Sequence, residues 1–307
     1  MRVAVVANPT SGRGRGAKLI PQVEALLRSE GIEHTVHISE GPLDPERLAM
    51  RAAVDGADIV AALGGDGHIG ACVNGVMSAA AEGGSAALAV IPAGTGNDFA
   101  RIVRVDAKDP LAAVRFLRSP VIKRIDLARL VVPQGERYYA NVAGAGFDSE
   151  ANAYANRMKY VKGQLRYVVA AFALLPRFKP AQFKVTVDGE THDLPGMLVA
   201  VGNGRSYGGG MRVCPDAKVD DGILDITLIG DVSKLDFIRT FPKVFTGKHL
   251  SHPKVRQLRG RDISITAERT LQVYADGEPV GTLPATFTVA PLALAVVVPP
   301  TERKETT

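Results

Sequence analysis

Short apolar runs alternate with helically spaced ones through the first 124 residues. Val3 to Ala7, His34 to Ile38, Asp58 to Leu63 and Ala86 to Ile91 read as strands, and Lys18 to Arg28, Pro45 to Val54 and Ile69 to Ala81 as helices between them. Ile59-Val60-Ala61-Ala62-Leu63 has no polar face, the mark of a strand in a parallel sheet covered by helices on both sides. Asp44 followed by Pro45 is a helix start, with an N-cap residue and a proline in the first turn.

Beyond Lys123-Arg124 the pattern changes. Tyr138 to Ala143, Phe183 to Val187, Leu198 to Val201, Ile223 to Leu228, Ile263 to Ala267 and Leu271 to Ala275 are separated mostly by turns, which predicts antiparallel β structure. Helical interruptions are expected near Ala151 to Leu175 and Lys234 to Phe245. The uncharged run from Pro279 to Thr301 is cut by five prolines into strand-length pieces, so it reads as a closing pair of strands and not as a membrane span. The division predicted is an α/β domain over 1–124 and a β-sandwich over 125–290, with a strand near 291–299 able to return to the first domain.

At 307 residues, with 46% hydrophobic and 22% charged residues, the chain falls in the globular class and has room for two domains. Cys72 and Cys214 are too few for a disulfide framework and form no CxxC pair for zinc; they read as small buried residues of a cytoplasmic protein. The first apolar stretch is too short for a signal peptide. The net charge of +5 is compatible with a nucleic acid, an anionic membrane or a phosphate-bearing substrate.

Three glycine-containing loops follow predicted strands: Asn8 to Gly12, Gly64 to His68 and Pro92 to Asp98. Glycine lets the backbone approach a bulky anion, and N–H groups at a helix start give it a partly positive cradle, so three such loops at the carboxyl ends of a parallel sheet point to a phosphate ligand. Tight strand-to-helix turns would look the same taken singly. None is a GxxxxGK[ST] or GxGxxG motif. Asp66 sets a carboxylate at the mouth of the cradle, as a Mg2+ between acid and phosphate would require; the alternative is a cap on the helix that begins near His68.

The motifs NPTSG (Asn8–Gly12), GGDG (Gly64–Gly67), PAGTGNDFAR (Pro92–Arg101), GAGFD (Gly144–Asp148), GGGMRVCPDAKVDDGILD (Gly208–Asp225) and DGEP (Asp276–Pro279) follow one another along the chain. In that order they resemble the bacterial soluble diacylglycerol kinase family, lipid kinases that share a catalytic domain with sphingosine and ceramide kinases. The resemblance runs from Val3 to Pro299. GGDG is also found in NAD kinases and phosphofructokinases, whereas GTGNDFAR and PDAKVDDGILD are far more specific.

The resemblance implies a nucleotide-binding α/β domain of the NAD kinase and phosphofructokinase type, a β-sandwich second domain and an active site in the cleft between them. It implies ATP contacts at Asn8, Pro9, Thr10, Ser11, Gly12, Ser39, Gly64, Gly65, Asp66, Gly67, His68, Ile69, Gly70 and Thr95. Asp66 would organise the catalytic magnesium through water. Glu278 would be the general base on the lipid hydroxyl, accepting its proton as the oxygen attacks the γ-phosphoryl group. The second copy of its motif, Asp188-Gly189-Glu190, reads as a hairpin turn only. A structural Mg2+ would rest on the Asp221 side chain and the backbone oxygens of Lys218 and Ile223. Histidine at 68 and glycine at 70 depart from the family's threonine and asparagine; His68 can still donate to a phosphate oxygen, in a protonation-dependent way.

Fourteen of the 37 basic residues lie in two acid-free stretches, 151–187 and 237–261, so the remainder of the chain has more acids than bases. The first stretch includes Arg157, Lys159, Lys162 and Arg166 among apolar residues, a pattern that fits docking on an anionic membrane and equally fits a packed helix with a solvated face. No nucleic-acid module surrounds either stretch. The expectation is therefore a cytoplasmic kinase, peripheral at the inner membrane surface, that transfers phosphate from ATP to diacylglycerol or a related lipid. A homodimer is what the family suggests. The alternatives are an NAD kinase-like small-molecule kinase and a non-catalytic nucleotide- or lipid-binding regulator.

Overall fold

Three strands in the first part of the chain are buried over all or nearly all of their length: β1 (Arg2–Ala7), β3 (Ile59–Gly64) and β4 (Ala87–Pro92). Only a sheet covered on both faces can accept such residues. Edge strand β2 (Glu33–Ile38) completes the parallel order β2-β1-β3-β4, and Val296 at the far end of the chain pairs in parallel with Leu88 of β4. The helices are α1 (Ser11–Ser29), α2 (Asp44–Val54), α3 (Asp66–Ala81) and the short α4 (Asp98–Ile102) and α5 (Pro110–Arg115). The computed structural model describes residues 1–41, 43–158 and 165–300. Met1–Ile125 with the segment from Ala293 onward forms one unit, and Asp126–Leu292 a second.

In the first unit α1 buries Gly16, Leu19, Val23 and Leu27, a stripe at helical spacing. Its first turn is not helical: Gly12, Arg13 and Gly14 have φ of 57°, 61° and 87°. Asp44 does not cap α2; it accepts from the N–H groups of Glu40 and Gly41 in the preceding loop. Gly75 lets α3 lie directly on α2, since a Cβ there would stand 2.2 Å from the Glu46 carbonyl.

The second unit is an antiparallel β-sandwich. Its elements are β5 (Val121–Val132), which enters it from the first unit, β6 (Gly135–Tyr139), β7 (Val142–Gly146), α6 (Phe147–Arg157), α7 (Leu165–Leu174), β8 (Ala181–Val187), β9 (Glu190–Gly202), β10 (Leu224–Gly230), α8 (Lys234–Thr240), β11 (Val255–Gly260), β12 (Asp262–Ala267), β13 (Gln272–Ala275), β14 (Glu278–Thr282) and β15 (Ala285–Val298). Strand β9 organises it, pairing β8 through Glu190–Gly196, β7 through Leu198–Gly202 and β10 with its second half. Alternation along β9 sends Val199 and Val201 into a core with Tyr139, Phe183, Ile226, Ile263 and Phe287, and Leu198 and Ala200 into a second core beneath α6, α7 and α8. Each large apolar side chain fully buried there contributes about 1.5–3 kcal/mol over its exposed state.

The apolar run Tyr138 to Ala143 divides between β6 and β7, and Pro279 to Thr301 resolves into β14 and β15. None of the described helices is long and apolar enough to cross a membrane.

Candidate functional site

In the order β2-β1-β3-β4 the chain crosses from one side of β1 to the other, which opens a crevice outside the carboxyl ends of β1 and β3. The three glycine loops meet there. Ser11 Oγ accepts from the Gly65 N–H at 3.3 Å, and a Cβ on Gly12 would stand 2.1 Å from the Ala93 carbonyl. Gly65 and Gly94 approach so closely that a Cβ on Gly94 would lie 2.6 Å from the Gly65 Cα. Asn8 ties its own loop, its Oδ1 accepting from the Thr10 N–H and hydroxyl. Ser39, after β2, is buried and donates from both its N–H and its hydroxyl to the Ala7 carbonyl. Thr95 is exposed in the β4–α4 loop.

Asp66 opens α3 but does not cap it. Its Oδ1 accepts from the Phe99 N–H at 3.2 Å, so the carboxylate caps α4 from across the crevice. A Cβ on Gly96 would come within 2.6 Å of Asp66 Oδ2, so glycine is what admits the acid. Burial raises the Asp66 carboxyl above its ordinary value, against the pull of the backbone donors at Phe99, Asp98 and Asn97.

His68 follows the glycine turn of the middle loop. Its ring turns into the core: Nε2 lies 2.9 Å from the Val6 carbonyl, Nδ1 is buried without a partner, and burial lowers its pKa. The side chain's partner is thus the β1 backbone. Ile69 is fully buried and its N–H donates to the Gly65 carbonyl, which leaves the half-buried Gly65 to Gly67 turn as the accessible part of this loop. Gly70 has open space where a side chain would stand.

In the second unit the DGE turn divides its two acids. Asp276, at φ 50°, accepts from the N–H groups of Ala140, Asn141 and Val142 at 3.0, 3.0 and 3.1 Å and so grips the link between β6 and β7. Glu278 starts β14 with an accessible side chain, yet surrounding atoms desolvate it enough to raise its carboxyl, with Arg137 opposing. The second copy folds alike: Asp188, at φ 47°, accepts from the Arg261 and Asp262 N–H groups. Local conformation does not separate the copies.

Asp221 accepts from the Ile223 N–H at 3.2 Å and from Arg259 at 2.6 Å. Asp225 is buried nearby with Oδ2 unpartnered, and its carboxyl is raised by burial and by repulsion from Asp221 and Asp216 despite Arg259. Such a surplus of carboxylate suits a cation. Among the described residues no three His, Cys, Asp or Glu side chains gather as a metal cluster, so an ion here would rest on Asp221, backbone oxygens and water.

The sequence reading passed over a cavity of about 70 Å³ in the second unit, lined by Phe147, Leu198, Met211, Ile229, Phe237 and Phe241, with Asp148 as its buried acid. Asp148 Oδ2 accepts from the Tyr207 hydroxyl at 3.1 Å, and burial pushes its carboxyl up to about 6. The available signal was the acid that ends the GAGFD motif.

Comparison with known proteins matches residues 2–130 to the diacylglycerol kinase catalytic domain and 141–298 to the YegS C-terminal NAD kinase beta sandwich-like domain. A diacylglycerol kinase of Mycobacterium tuberculosis is 35% identical over 97% of this chain and 95% of its own length, and one of Bacillus subtilis is 29% identical over 97% and 96%. The structure of a diacylglycerol kinase from Bacillus anthracis shares the fold at a TM-score of 0.74, with 22% identity and 97% of each chain covered. Fold and site thus define a lipid-kinase type of α/β and β-sandwich protein. The chain belongs to the bacterial soluble diacylglycerol kinase family.

Proposed function

We propose that the protein transfers the γ-phosphate of ATP to a hydroxyl of diacylglycerol or a related lipid. The observation that carries this reading is the meeting of three glycine loops around Asp66 at the crevice of the parallel sheet, where any side chain in place of Gly12 or Gly94 would collide with backbone. Asn8 to Gly12, Gly64 to Gly67 and Thr95 line the phosphates, with Ser39 and Gly70 nearby. His68 and Ile69 act by supporting the loop from below.

Glu278 is the general base. Its carboxyl, raised by desolvation, takes the hydroxyl proton in its ionised form as the lipid oxygen attacks. Asp66 would hold a magnesium ion through water, and Asp221 with the carbonyls of Lys218 and Ile223 would hold a second, structural ion. Bound magnesium would supply charge neutralisation at the phosphates. The apolar cavity takes part of a lipid chain, and basic residues of 151–187 and 237–261 meet an anionic membrane; Lys159 and Lys162 lie outside the described residues.

The test is phosphate transfer by purified protein given ATP and Mg2+ with diacylglycerol vesicles, sphingosine or NAD. Transfer to diacylglycerol is expected. Transfer to NAD alone, or to none of the three, overturns the reading.

A further inference from the structure

The stretch from Lys234 to Thr246, α8 and the 3-10 turn that continues it, carries two apolar stripes where a surface helix needs one. Phe237, Phe241 and Val244 face inward, packing on the second core and roofing the Asp148 cavity. Leu235, Ile238, Pro242 and Phe245, at spacings of three and four, form a second stripe that faces solvent. Leu235 is 55% exposed, Ile238 45% and Phe245 37%.

Ring contacts extend the outer stripe. Phe241 touches Phe245 at 6.3 Å and Phe172 of α7 at 5.8 Å, and Phe172 and Val169 are themselves exposed. Arg239, Lys243 and Lys248 are exposed beside this surface, and among the described residues none of them pairs with a carboxylate. The single acid of the helix, Asp236, is taken up with Ser233 at the helix start.

We propose that the outer stripe of α8 and its following turn is the element by which the second unit enters an anionic lipid surface. Leu235, Ile238, Pro242 and Phe245 sink among acyl chains while Arg239, Lys243 and Lys248 meet acidic headgroups. Charge selects the occupant: a protein surface covering this stripe would need its own acids opposite three cations that pair with no carboxylate among the described residues, and this segment of the chain offers a second copy none beyond the engaged Asp236. An amphipathic segment of this size, with basic residues flanking the apolar face, has the composition of an interfacial helix. The inference rests on the lipid-kinase reading for its biological sense, but its test does not.

Flotation with vesicles of phosphatidylglycerol mixed with phosphatidylcholine, against phosphatidylcholine alone, measures docking. Transfer to a short-chain, monomerically dispersed diacylglycerol measures chemistry. The wild type should prefer the anionic vesicles. Leu235→Ser combined with Ile238→Ser should weaken that binding roughly tenfold or more, and Arg239→Gln combined with Lys243→Gln roughly tenfold with lost salt sensitivity. Both doubles should keep the wild-type melting temperature and transfer to the dispersed substrate. The proposal falls if the wild type ignores lipid charge, if the serine double binds as wild type does, or if sedimentation shows a wild-type dimer that the serine double dissolves. Charge-selective binding by this stripe in a wild type that transfers no phosphate to the dispersed lipid would uphold docking and remove the kinase reading.

Discussion

Asp276 and Glu278 stand two residues apart in one turn, and the structure predicts opposite consequences for neutralising them. Asp276→Asn keeps an oxygen for the Asn141 and Val142 N–H groups but turns an NH2 toward the Ala140 N–H, orphaning that donor. A partly buried orphan costs about 1–3 kcal/mol, and weakening two charge-assisted bonds adds to it, so the loss should be about 2–4 kcal/mol. The left-handed backbone at φ 50° adds nothing, because asparagine adopts it as readily as aspartate. For a unit of this length the melting temperature should fall by about 5–15 °C. Asp188→Asn provides the control, with the same turn but an exposed side chain and two bonded N–H groups; it should lose clearly less stability than Asp276→Asn. Glu278→Gln should leave stability within about 0.5 kcal/mol and lower turnover by about a hundredfold or more. Urea unfolding with single-turnover phosphate transfer reads both. An Asp276→Asn protein as stable as wild type would refute the clamp, and a Glu278→Gln protein with wild-type turnover would refute the base.

The acid limb of the turnover profile should lie above the ordinary carboxylate range, because Glu278 must lose a proton that desolvation helps it keep; Arg137→Met should move the limb further up, and a limb that stays in place counts against Glu278. Asp148 binds its proton more tightly folded, at about 6, than unfolded, so its contribution is full below the unfolded value near 4 and is lost as pH rises through 6. Asp148→Asn should therefore raise stability at pH 8, by on the order of 2–3 kcal/mol, and do little at pH 4, as calorimetry at both values would register. His68→Thr should cost about 1–3 kcal/mol of stability through the lost bond to Val6 while leaving ATP affinity nearly unchanged; a large change in nucleotide titration would reverse the assignment. Gly12→Ala should abolish nucleotide binding, since its Cβ meets the Ala93 carbonyl, and retained binding would remove that loop from the cradle.

Elements buried on both faces were legible in the sequence. Strands β1, β3 and β4 announce themselves because nothing polar interrupts them, and the change to turn-separated runs marks the sandwich. Strand β11 (VRQLRG) escaped notice because it is mostly exposed and its side chains satisfy water, not a core. The glycine loops were legible as places of close backbone approach, which Gly12 and Gly94 make. What the carboxylates do was not: Asp66 caps a helix far along the chain, and Asp276 grips backbone on a strand pair more distant still. Nothing near Asp276 distinguishes it from Asp188. The inward turn of His68 depends on space beneath β1 that no local pattern records.

Strand β15 leaves the sandwich at Leu292 and ends beside β4, where Val296 pairs with Leu88. A ribosome therefore delivers the last strand of the first sheet only after the whole sandwich has been made. Through that interval β4 has a bare edge, open to the wrong strand or to another nascent chain. A fragment ending at Ile125 would keep this defect permanently, and the partial protein should aggregate where the full chain does not. A circular permutant beginning at Asp126 would make that strand before β4 and remove the exposure.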